Sequence, residues 1–197
     1  ACGSKELKPV FDLRLQPLAN SYKINKDDQD NFFPLGINSC ENCYHVQLTH
    51  RVNPDLLFKN YAYMSSVSQT GINFFEWFAQ MSLNYFEHKP QNILDIGCND
   101  GIQLDIYKKY GLDTWGVDPA KNLYELTSKK HNIVCDYFKD NIIQEQFDIV
   151  TVQNAFAHNY NQLELLKNIK PRLKDNGLLF AVTSHADMLI NGEFDTI

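Results

Sequence analysis

From Asn92 onward the chain alternates short apolar runs with segments of helical period. The run Asn92–Ile96, NILDI, is apolar at Ile93, Leu94 and Ile96. Its nearly continuous character predicts a strand buried on both faces. The run breaks at Gly97-Cys98-Asn99-Asp100-Gly101, and a helical period follows over Ile102–Tyr110, closed by Gly111. A second strand is predicted over Thr114–Val117, ended by Asp118-Pro119, and a helix from there to about Lys130. Further strands are predicted over Ile133–Cys135, Phe147–Val152 and, opened by Gly177, Leu178–Thr183, with a helix over Gln162–Leu173 between the last two. Such alternation predicts an α/β fold, a Rossmann-like parallel sheet with crossover helices. Five strands are few for a doubly wound sheet, so the domain is expected to be incomplete at its C-terminus. From Ser184 to Ile197 the pattern reads as irregular.

Upstream, Phe74, Phe78, Met81 and Tyr85 recur at helical spacing, widened by Phe75 and Phe86. They predict a core-facing helix from Thr70 to Glu87, stopped by His88-Lys89-Pro90. Residues 1–60 show no long helical period. Pro9, Pro17, Pro34 and Pro54 punctuate strand-like pieces, VFDLRL and YHVQLTH, and the polar stretch at 25–31 reads as an exposed loop. The expected organisation is a small domain over 1–60, a junction with one amphipathic helix over 61–90, and a Rossmann-like domain over 91–197.

Composition narrows the class. Of 197 residues, 44% are hydrophobic, 21% are charged, and mean hydropathy is -0.38, as in an ordinary globular protein. No apolar stretch approaches the roughly 20 residues of a membrane span, and the N-terminus lacks the apolar core of a signal peptide. A cytoplasmic protein is expected, with no membrane partner. The net charge of -6 falls entirely beyond residue 60, because residues 1–60 carry seven Lys/Arg and seven Asp/Glu. Neither part offers the basic footprint of a nucleic-acid binder.

The five cysteines include one Cys-x-x-Cys pair, Cys40 and Cys43. An odd count with such a pair suits a metal site better than a disulfide framework. Two thiolates on a tight knuckle are half of a tetrahedral zinc site, and a loop-rich segment with a weak core is one that needs a metal. Cys2-Gly3 reads as the closing end of a second knuckle, whose first cysteine is expected before Ala1. His45 and His50 stand as alternative ligands, although lone strand histidines are more often packing or surface residues. Cys98 and Cys135 read as small buried thiols.

The polar residues at the predicted strand ends carry the chemistry. Asp95 precedes the glycine turn, Asn99, Asp100 and Gly101 lie within it, and Asp118, Asp136 and Asn154 end the next three strands. Open α/β sheets bind nucleotide-like ligands at these ends. A carboxylate such as Asp118 can accept both ribose hydroxyls. Asp136 can take an adenine amino group, with Tyr137 or Phe138 on the ring. A dinucleotide oxidoreductase also places an acid about 20 residues past its loop. Here the loop lacks the middle glycine of G-x-G-x-x-G, and Asp100 would oppose a pyrophosphate. The pattern points instead to S-adenosylmethionine, whose amino-acid end is zwitterionic and carries no phosphate.

The loop LDIGCNDG, the upstream Cys-x-x-Cys, QPLAN at 16–20, the YAYMSSVS junction and the QNAFAHNYN stretch together resemble the zinc-containing sugar C-methyltransferases. The resemblance covers nearly all of the chain. It implies a small zinc domain, a class I methyltransferase domain binding S-adenosylmethionine, and a further C-terminal domain. It implies methylation of a nucleotide-linked 4-ketosugar next to the ketone, through an enolate. It assigns Cys2, Cys40 and Cys43 to zinc, Tyr63 and His158 to catalysis and Asn154 to the cofactor, beside Asp95, Gly97, Asn99, Asp100, Gly101, Asp118, Asp136, Tyr137 and Phe138, which the loop and strand-end pattern places there. In the family the tract after GEFDTI continues into a His-Glu-His-like motif with the general base, so these 197 residues are expected to bind cofactor without turning over substrate. An O- or N-methyltransferase on the same scaffold and a non-catalytic zinc and cofactor module are the alternatives.

Overall fold

The computed structural model describes residues 2–184. The irregular tail expected after Ser184, with its GEFDTI, lies outside them. The chain divides into two compact units, Ala1–Tyr63 and Met64–Ile197.

In the first unit β1 (Leu7–Pro17), β2 (Phe32–Cys40) and β3 (Val46–Leu48) form an antiparallel sheet in the order β1-β2-β3. The pieces VFDLRL and YHVQLTH lie in or around β1 and β3, as their pattern predicts. The central strand, FFPLGINSC, carries no such signal because Pro34 and Gly36 interrupt it. Proline has no N–H for a ladder. Pro34 pairs with Leu15 beside a register shift between Asp12 and Leu15, where the ladder is already broken. A short helix, α1 (Pro54–Phe58), follows; the Asn53 side chain accepts the Asp55 N–H at its start.

The second unit opens with a 3-10 turn, Ser65–Val67, and α2 (Gln69–Leu83), whose N-cap Ser68 accepts the Gly71 N–H. The helix is shorter than its apolar stripe predicts: it stops at Leu83, and Asn84 caps it. The order is then β4 (Asn92–Ile96), α3 (Ile102–Lys109), β5 (Asp113–Val117), α4 (Lys121–Thr127), β6 (Asn132–Val134), β7 (Phe147–Gln153), α5 (Gln162–Ile169) and β8 (Leu173–Val182). Pro171 turns the end of the predicted last helix into a 3-10 turn, Lys170–Arg172. β8 begins earlier than expected because a bulge after Leu173 carries the pairing on to Leu178.

All five strands are parallel, in the order β6-β5-β4-β7-β8. Leu94, Ile96, Val117, Val150 and Val152 pack with Leu165 and Ile169 of α5 on one face. Ile93 and Ile149 pack with Ala79 of α2 and Leu104 and Tyr107 of α3 on the other. This two-sided burial is why the strands read as continuous apolar runs. Buried Tyr107 joins α3 to α2 through a 2.6 Å hydroxyl contact with Ser82. The chain winds outward from β4 to β6, then crosses back to place β7 on the other side of β4. The strand order therefore reverses between β4 and β7, the position where such sheets open a crevice for ligand.

Candidate active site

The loop leaving β4 is shaped by two left-handed glycines. Gly97 has φ +81°, and a Cβ on it would lie 2.7 Å from the Ala155 Cβ of the loop after β7. Gly101, at φ +79°, caps α3 with no side-chain hydrogen bond. Only glycine combines that backbone with so close an approach. Between them Asn99 is also left-handed, φ +50°, and its N–H donates to the Asp118 carboxylate at 2.8 Å. The other Asp118 oxygen accepts the Ala120 N–H at 2.9 Å. Burial raises the Asp118 pKa, and these two N–H groups oppose the rise. One strand inward, Asp95 is 4% exposed and accepts the Thr151 hydroxyl at 2.6 Å. Burial pushes it up to about 7, against the Thr151 hydrogen bond and with the Asp118 charge adding to the rise.

Asn154 ends β7 in the left-handed region, φ +54°, with its N–H on the Val182 carbonyl at 2.8 Å. Such a turn exposes the side chain at the strand end. His158 closes a 3-10 turn, Phe156–His158, four residues on. Its side chain reaches solvent, yet desolvation by the surrounding protein holds its pKa below the ordinary value. The imidazole is therefore neutral at neutral pH and able to accept a proton.

Other residues take places the sequence did not suggest. The Asn99 side-chain oxygen accepts the Ser65 N–H at 2.9 Å, and Asp100 accepts the Ser66 N–H at 3.0 Å. Both side chains thus face the turn before α2. Asp136 accepts the Tyr137 N–H at 2.8 Å and pairs with Lys139. Phe138 packs against the sheet core. Cys98 is a packing thiol: a Cβ on Gly116 would lie 2.6 Å from its sulfur, and burial with the nearby acids pushes the thiol up. Sequence reasoning missed Thr151 and the buried pair in which the Gln153 side-chain N–H donates to Gln103 at 2.9 Å. That pair leaves the Gln153 side-chain oxygen buried and unpartnered among the described residues. Alternating polar positions at the end of an otherwise apolar β7, Thr151 and Gln153, were the available signal. Tyr63 is the last residue of the first unit, exposed and edge-on to Tyr61 at 6.5 Å.

In the first unit the sulfurs of Cys2, Cys40 and Cys43 all lie within 4.8 Å of one another. Cys2 and Cys40 approach to 3.7 Å. Tetrahedral zinc with bonds of about 2.3 Å separates its thiolates by about 3.8 Å, so the set fits that ion. The knuckle is held by the Tyr44 N–H on the Cys40 carbonyl and the Cys40 N–H on the His45 carbonyl, both 2.9 Å, with Tyr44 left-handed at φ +59°. The Ser4 backbone hydrogen bond, then the Cys43 and Cys40 thiols, lower the Cys2 pKa to about 7, which favours the thiolate that metals need. Of the histidines weighed against them, neither joins this cluster, and His50 stacks on Phe33 with centroids 6.3 Å apart.

A five-stranded parallel sheet with a glycine loop and an acid ending the next strand defines a class I, S-adenosylmethionine-dependent methyltransferase fold. Residues 58–196 match the family described as "Methyltransferase domain", and the chain belongs to it. Residues 1–58 match the family described as "Putative zinc binding domain". A C-methyltransferase, NovU, from Streptomyces niveus is 26% identical over 207 residues, covering 100% of this chain and 49% of that protein. A ubiquinone biosynthesis O-methyltransferase from Bradyrhizobium diazoefficiens is 30% identical over 98 residues, 46% of this chain and 39% of that protein. The plantazolicin methyltransferase BpumL in complex with SAH is 26% identical with a TM-score of 0.54, covering 63% of this chain and 52% of that one. The chain thus spans about half the length of these relatives or less. The geometry fits the cofactor: the part-buried Asp118 carboxylate, an acceptor for hydroxyl groups, lies at the end of β5 beside the glycine loop. Among the described residues no helix is long and apolar enough to cross a membrane.

Proposed function

We propose that the protein is a C-methyltransferase that acts on a nucleotide-linked ketosugar through an enolate. The observation that carries this reading is the similarity to a C-methyltransferase along the whole chain, through the zinc unit as well as the sheet. Similarity confined to the sheet would point only to the broad fold. S-adenosylmethionine supplies the methyl group when bound.

Asp118 holds the ribose, with its carboxylate aimed by the Asn99 and Ala120 N–H groups. Asp136 and Tyr137 form the base end of the crevice, and Asn154 flanks the cofactor where the strand order reverses. His158 faces the sugar beside the acidic carbon, as a neutral imidazole that can accept a proton or hold the enolate oxygen. Tyr63 is assigned a substrate-facing role by the resemblance, which Tyr63→Phe tests on its own. Cys2, Cys40 and Cys43 hold zinc in a structural role.

The test uses the full-length protein, methyl-labelled cofactor and a set of nucleotide-linked 4-ketosugars. Label should stay with the sugar through boiling hydroiodic acid, which cleaves methyl ethers and esters but leaves a carbon-bound methyl in place. Release of the label would favour an O-methyltransferase, the second reading, which the ubiquinone-pathway relative supports over its 98 residues. Asp118→Ala should weaken calorimetric cofactor binding by at least about tenfold, the loss expected for a charge-assisted hydrogen bond.

A further inference from the structure

The amino-acid end of the cofactor needs a place for its carboxylate. Around the ends of β4, β5 and β6 the protein presents Asp95, Asp100, Asp118 and Asp136, which accept hydrogen bonds and repel a carboxylate. Lys139 is paired with Asp136. Neutral donors held against the loop would serve it without a charge drawn to these aspartates. The turn Ser65–Val67 meets that description. It is fastened to the glycine loop at two consecutive residues, Ser65 N–H to Asn99 and Ser66 N–H to Asp100, 34 positions away in the chain. Asn99 and Asp100 are 9% and 7% exposed, so these contacts are shielded. Asn99 is in turn set by its own N–H on Asp118. Ser65 and Ser66 are half-buried, and among the described residues neither hydroxyl has a hydrogen-bond partner.

Resting on the methyltransferase reading, we infer that Ser65 and Ser66 bind the carboxylate of the cofactor's amino-acid end through their hydroxyls. Asn99 and Asp100 are positioning residues that hold the two serines at the loop. Asp100 thus serves the amino-acid end at one remove, which accounts for an acid in a loop next to an anionic group. Serine hydroxyls suit the task, since they donate without adding a charge that would pair with the neighbouring aspartates.

The experiment measures binding of S-adenosylhomocysteine and of 5′-methylthioadenosine, which lacks the amino-acid end, by calorimetry on the full-length protein. Ser65→Ala/Ser66→Ala keeps both backbone N–H groups and so keeps the turn fastened. It should weaken S-adenosylhomocysteine about tenfold or more and leave 5′-methylthioadenosine unchanged. Asp100→Ala should show the same selective loss, and Asp100→Asn, which keeps an acceptor for Ser66, should restore it. Equal losses for both ligands would mean that the turn only supports the fold, and no loss for either would place the carboxylate elsewhere; each overturns the inference. A parent protein that binds neither ligand overturns the methyltransferase reading itself.

Discussion

The two units solve the problem of cohesion differently. Among the described residues the buried apolar side chains of the first unit are Ile37 and Cys40, whereas the second unit holds twenty. β1 is exposed almost from end to end, with Val10 and Leu15 more than half accessible. Such a sheet cannot offset the entropy of ordering its chain by burial alone. Three thiols, one from the N-terminus and two from the middle of the unit, are placed to take over part of that role. The sheet unit needs no such device, since both of its faces are covered. It can therefore leave polar groups such as Asp95, Thr151 and Gln153 at the strand ends. Cohesion by metal and cohesion by packing thus divide the chain into a part that is stapled and a part that can carry a site.

Stripping the metal with a strong chelator should break this contrast most sharply. Structural zinc in small domains contributes about 10–16 kcal/mol. Hydrogen-exchange protection should vanish over β1–β3 and persist over β4; if β1–β3 stay protected without metal, the stapling account fails. Leu94→Ala is the opposite test. It should destabilise the sheet unit by about 2–5 kcal/mol, seen in denaturant unfolding, with zinc content unchanged.

Asp95 gives a pH signature of the packed unit. Its folded pKa, about 7, lies above the unfolded value, so the native state keeps a proton that the unfolded chain releases. Stability should fall as pH rises from about 4 to about 7 and then level off. Asp95→Asn should make the cofactor-free protein more stable at pH 8, by no more than about 4 kcal/mol at about 1.4 kcal/mol per pKa unit, and no more stable at pH 3. A gain that does not depend on pH would refute this account. Tyr107→Phe should be the mildest change. It removes the hydroxyl that meets Ser82, which still donates to the Ala79 carbonyl, for a loss of about 1 kcal/mol in thermal unfolding.

Much of the sheet was legible before any coordinates. Asn92–Ile96 announces itself because a strand buried on both faces must be apolar at almost every position. The loop after it is legible because positive φ calls for glycine. The central strand of the small unit was hidden, since Pro34 and Gly36 break its pattern. Some of the cofactor candidates also have protein partners that no local pattern reveals: Asn99 and Asp100 accept the Ser65 and Ser66 N–H groups, and Phe138 packs against the core.

By itself, then, the sequence determined the order of strands and helices, the glycine loop, the acids at the strand ends and the cysteine knuckle. These depend on periodicity, backbone freedom and spacing within a few residues. The tertiary structure alone decided that β7 returns beside β4, that Cys2 meets Cys40 across 38 residues, and that the loop's amide and carboxylate hold a turn 34 residues upstream. Those choices come from burying both faces of the sheet and satisfying buried N–H groups at once, a condition on the whole chain rather than on any segment.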